Sequence, residues 1–148
     1  MTDTPVKILN ELIQTSKDGN KGFAEAAEKA EDAKLKMLFT DRARECEQAA
    51  QELQQIVVNI GGKPEDSGSV TGAMHRGWVA VKSAVTDSNV AVLEEVERGE
   101  DYAKAVYSKA LKADLPAPAR VVVEKQYQGV LQNHNRIREL RNRYKAAA

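Results

Sequence analysis

Apolar residues recur every three or four positions through four stretches of the chain, the spacing of one face of a helix, and no strand-like alternation appears. The first stripe is Ile8, Leu9, Leu12, Ser16, Gly19, Phe23, Ala26 and Ala30. Thr4 can cap this helix, and Pro5 stands at its first position, where a missing N–H costs nothing. The second stripe is Leu35, Leu38, Phe39, Arg42, Cys46, Ala49, Leu53, Ile56, Val57 and Ile60, with Asp32 as N-cap and Gly61-Gly62 as terminator. Leu93, Val96, Glu100, Ala103, Tyr107 and Ala110 mark the third, starting near Asp87 or Ser88. Val123, Tyr127, Val130, His134, Ile137 and Arg141 mark the fourth. The pattern predicts helices over about 5–31, 33–60, 87–114 and 117–145.

The connections decide how these helices group. Only a few residues join the first helix to the second, so those two should be antiparallel neighbours. Leu115-Pro116-Ala117-Pro118 is a short stiff turn, because a residue before proline avoids the helical region. It makes the third and fourth helices a second antiparallel pair. Between the pairs lies a long break over 61–86, which includes the run from Pro64 to Trp78. Within it, Val70, Met74, Trp78, Val81 and Val85 fall on one side of a short helix capped by Ser69 or Thr71. The expected fold is therefore all-α: an antiparallel four-helix bundle in one domain, 1–148, with a short extra helix in the crossover between helices 2 and 3. Gly19 sits on an apolar stripe and is expected to face a neighbouring helix at close range.

Composition narrows the function classes. Charged residues make up 30% of the chain and balance to a net charge of zero. A dedicated nucleic-acid or acidic-membrane binder would carry a basic excess. No apolar run is long enough to span a bilayer. The first residues, Met1 to Pro5, lack the basic and apolar regions of a signal peptide. Cys46 is the lone cysteine, so no internal disulfide forms, and the expected location is the reducing cytoplasm. Helix 3 is acidic through Glu94, Glu95, Glu97, Glu100 and Asp101, whereas helix 4 ends basic, as its dipole favours.

Candidate chemistry rests on polar residues in otherwise apolar stripes. Asp18, Glu45, Glu97, Glu100 and His134 fall near the middles of their helices, which lie at one level in an antiparallel bundle. Carboxylates and a histidine converging there are what a metal centre in a bundle core requires, and iron or manganese are the metals such a site would take. The motif that two-metal bundles use, Glu-x-x-His on each of two helices, is absent; the nearest analogue is Glu45-Cys46-Glu47-Gln48. The competing reading is a buried network in which Arg42 or Arg141 neutralises Glu100 and His134 hydrogen-bonds nearby, without a cofactor. Phosphate-binding loops, nucleophile elbows and zinc knuckles are all missing.

Asp18-Gly19, Gly22-Phe23 and Ala26-Ala27-Glu28, with Gly61-Gly62, Pro64 to Ser69, His75-Arg76-Gly77-Trp78, Glu97 to Asp101, and His134 with Leu140-Arg141, resemble an uncharacterised bacterial family of four-helix-bundle proteins. That family is a domain of unknown function assigned to the ferritin-like superfamily. The resemblance implies a ferritin-like bundle and an association with stress physiology. It does not imply ferroxidase or catalase activity, whose ligand pattern is missing. The expected function is binding or protein interaction without catalysis, with an unknown protein partner or a homo-oligomer such as a dimer, and with neither nucleic acid nor membrane. The alternative is a metal-dependent oxidoreductase or metal-binding protein with a degenerate site at Glu45, Glu97, Glu100 and His134.

Overall fold

The computed structural model describes residues 4–66 and 88–147. Among these there are four helices, α1 (Pro5–Lys29), α2 (Ala33–Asn59), α3 (Ser88–Lys112) and α4 (Ala117–Ala147), and no strand. They form a helical bundle. The short helix expected in the crossover, with Trp78 and His75, lies outside the described residues.

The helix ends follow local chemistry. Thr4 Oγ1 accepts from the Lys7 N–H at 3.3 Å, and Asp32 Oδ1 accepts from the Lys34 N–H at 2.8 Å. Each satisfies a donor that the first turn leaves without a partner. At the end of α2, Gly61 takes φ +84°, a left-handed conformation that costs glycine little. The Gly61 N–H then donates to Val58 O at 3.0 Å and the Gly62 N–H to Val57 O at 2.9 Å, the paired bonds of a Schellman cap. Ile60, expected on the buried stripe, is 38% exposed, because it is the C-cap residue at which the chain leaves the helical path.

Side chains fix which ends meet. The backbone N–H groups of Glu31 and Asp32 donate to Asn89 Oδ1, and Tyr144 donates to Asp32 Oδ2 at 2.5 Å. The start of α3 and the end of α4 thus lie at the α1–α2 turn. At the other end, Asn10 Nδ2 donates to Lys63 O and Asn10 Oδ1 accepts from the Glu65 N–H. α1 packs along both α2 and α3, and α3 packs along α4; α2 and α4 touch at only a few places. No helix among the described residues is long and apolar enough to cross a membrane.

The core has two apolar halves. One gathers Phe23, Leu35, Phe39, Leu93, Val96 and Ile137; the other gathers Leu9, Leu12, Ile13, Leu53, Val57 and Val123. Between them, at mid-height, buried polar side chains interrupt the packing: Ser16 and Asp18 on α1, Glu100 on α3 and His134 on α4. Gly19 lies in the same belt against α2, as its stripe predicts. A Cβ built there would stand 3.0 Å from Cys46 Sγ. Gly19→Leu is therefore expected to destabilise by roughly 1–3 kcal/mol through overpacking. Urea denaturation should show the loss, and adding Cys46→Ala should recover part of it. A neutral single variant would mean that the new side chain avoids Cys46 altogether.

Candidate functional site

Because α2 and α4 barely touch, a cleft of about 780 Å³ opens between them at the level of the polar belt. Arg42, Cys46 and Ala49 line it from α2, and Gln126, Gly129 and Asn133 from α4. Ser16 and Gly19 of α1 and Glu100 and Tyr107 of α3 also line it. Small residues on the facing helices keep it open: a Cβ built at Gly129 would meet nothing within 4 Å.

One end of the cleft is tied by a hydrogen-bond chain. Ser16 Oγ and Tyr107 OH lie 3.3 Å apart, and Tyr107 OH donates to Gln126 Oε1 at 2.8 Å. Gln126 Nε2 crosses to α2, donating to Glu52 Oε1 at 3.0 Å and to Ala49 O at 3.3 Å. Burial raises the Tyr107 phenol above its ordinary range, so it stays a neutral donor.

At the polar belt sits Glu100, 2% exposed. Burial pushes its carboxyl above the ordinary range; the Arg42 guanidinium and a hydrogen bond from the Asn133 amide work in the opposite direction. Arg42 Nε stands 3.7 Å from Glu100 Oε1, an ion-pair distance too long for a hydrogen bond. The guanidinium also lies over the Phe23 ring, 5.8 Å from its centre, and reaches Glu45 Oε1 at 3.4 Å. Arg42 and Asn133 are thus the groups that hold the buried Glu100 carboxyl. Cys46 is buried beside them, and burial pushes its thiol up to about 12, which removes it as a nucleophile near neutral pH.

The four residues read from sequence as metal ligands have separate partners here. Glu45 has a 62% exposed side chain and pairs with Arg42. Glu97 is held by Arg141, with Arg138 Nε at 3.8 Å. Glu100 pairs with Arg42 rather than Arg141. His134 Nε2 bonds Asp101 instead of reaching Glu100. Guanidinium groups thus lie beside all three glutamates. No group of three or more His, Cys, Asp or Glu side chains that could hold a metal occurs among the described residues. This donor set does not fit a two-metal centre. The residues missed from sequence are Asn133, Gln126 and Gly129; each is unremarkable on a helix, and only the separation of α2 from α4 gives it a role.

No protein of curated function matches the chain. A family model described as a domain of unknown function, DUF2383, matches residues 4–113, from the cap of α1 to the residue after α3. With most of its length matched by that model, the chain belongs to the DUF2383 family.

Proposed function

We propose that this chain is a ferritin-like, antiparallel four-helix bundle of the cytoplasm that acts by binding, and that the α2–α4 cleft is where it binds. The long crossover between two closely connected helix pairs, with α1 between α2 and α3, supports the ferritin-like reading. The single observation that carries the binding reading is the cleft of about 780 Å³ between α2 and α4, lined by Arg42, Glu100, Gln126 and Asn133 and left open by Gly129. The volume falls within the roughly 300–1,000 Å³ of small-molecule sites. No activated nucleophile accompanies these groups, so the reading is one of binding without catalysis.

Gly129→Trp tests it, since the indole would enter the space that this glycine leaves beside the cleft. Ligand-observed NMR against a library of small polar compounds should give hits with the wild type that vanish in Gly129→Trp, while the melting temperature of the variant stays close to wild type. Hits that persist in the variant would place binding elsewhere. The metal reading has its own test. Iron or manganese at one equivalent or more in the purified protein, with a melting temperature that falls on chelation, would replace the proposal.

A further inference from the structure

We infer that the α2–α4 side is the interface of a twofold homodimer, in which α2 of each copy lies against α4 of the other. The proposal rests on the reading of this cleft as the binding site and names its partner as a second copy of this chain. The two rims of the cleft differ in sign. α2 contributes Asp41, Glu45 and Glu52, and α4 contributes Lys125 and Arg136. Arg42, the one cation that α2 adds to the lining, is committed to Glu100 and Glu45. Asp41, Glu52, Lys125 and Arg136 are all exposed. Asp41 has a long contact with the exposed Arg44, at 3.8 Å, and Glu52 accepts from the neutral Gln126 amide. Neither Lys125 nor Arg136 has an ion-pair partner among the described residues.

Heights along the helices decide how the rims can meet. Tyr144 reaches Asp32 and Gln126 reaches Glu52 across α4 and α2, so these residues are level. Stepping from them at about 1.5 Å per residue puts Arg136 level with Asp41, and Lys125 with Glu52, to within about 3 Å. A twofold axis parallel to the helices keeps every height and exchanges the rims. Asp41 then meets Arg136 of the second copy and Glu52 meets its Lys125, with each pair formed twice. A twofold axis across the helices would instead set α2 on α2 and α4 on α4, like charge on like charge. Half-buried apolar residues obey the same symmetry. Leu38 and Ile56 lie toward the two ends of the cleft face of α2, and Leu140 and Val122 toward those of α4, by helical spacing. Leu38 comes level with Leu140, and Ile56 with Val122, so apolar ends also meet across the interface. α2 has 27 residues, and a face two helices wide and about 40 Å long offers about 800 Å² per copy, the size of a standard stable interface. The two clefts then open onto each other as one chamber, walled by Gln126 and Asn133 of both copies.

Sedimentation equilibrium of the full chain tests the assembly. At micromolar concentration the wild type should run at twice the 16.3 kDa of the chain, and the dimer should weaken as salt is raised. Asp41→Lys with Glu52→Lys makes both rims basic, and Lys125→Glu with Arg136→Glu makes both acidic. Each double variant alone should be monomeric, its dissociation constant raised tenfold or more, with helicity unchanged by circular dichroism. Mixed in equal amounts, the two variants should recover a dimer, because a basic rim then meets an acidic one at both contacts. That recovery requires folded chains, so it separates lost pairing from lost folding. A wild type that stays monomeric would overturn the inference and leave the cleft to a small molecule. A dimer that both variants leave intact would overturn it as well, since the copies then meet elsewhere. Variants that are monomeric alone and remain so when mixed would overturn the placement of α2 on α4. The small-molecule reading fails separately: ligand-observed NMR without hits on a wild type that dimerises, and whose mixed variants recover, would remove that reading and support the dimer.

Discussion

Truncating Phe23 to alanine should lower the unfolding free energy by about 3–5 kcal/mol. The ring is fully buried, packs against Phe39 with centroids 6.2 Å apart, and anchors the apolar half of the core that also holds Leu93 and Ile137. Removing it leaves a void that these neighbours fill only in part, so a cavity term adds to the lost transfer energy. It also takes away the surface under the Arg42 guanidinium. Phe23 and Arg42 substitutions should therefore be non-additive in a double-mutant cycle, since the two side chains share one contact. Chemical denaturation with an unchanged m-value measures the loss. A cost below about 1 kcal/mol would mean that the site collapses freely and that Phe23 is not the anchor.

Replacing Arg42 with leucine should cost roughly 3 kcal/mol at neutral pH, the lower part of the range for breaking a buried pair, because the adjoining cleft admits some water. The loss comes less from the pair itself than from the carboxylate left behind. Glu100 already titrates above its ordinary 4.5 through burial, and Arg42 is the main group opposing that shift. A folded-state value above the unfolded one means that stability is full below the unfolded value and declines as pH rises through the folded value. Removing Arg42 raises the folded value further and widens that window. The difference between Arg42→Leu and wild type should consequently shrink as pH falls from neutral toward 4.5. Combining Arg42→Leu with Glu100→Gln should abolish the pH dependence of the difference. A gap that is constant with pH would show that Arg42 acts through packing on Phe23, with Glu100 left unaffected.

The parts of this protein legible in the sequence are those governed by residues a few positions apart. Thr4 and Asp32 cap their own helices, Gly61 ends α2, and the stripe through Leu12, Ser16, Gly19 and Phe23 gives the buried face of α1, because hydrogen bonds and helical period act locally. Burial of Glu100 and His134 was equally legible, as polar residues on apolar stripes. Their partners were not. Arg42 and Arg141 both point toward the acidic face of α3, and each long side chain could reach more than one glutamate. Only the helix positions assign Arg42 to Glu100, Arg141 to Glu97 and Asp101 to His134. The cleft lay further still from the sequence. Gly129 and Asn133 acquire meaning from the distance between α2 and α4, which depends on how both helices lean against α1 and α3. Helix faces are thus set by local periodicity, whereas the space between two helices that barely touch is set by the packing of the whole bundle.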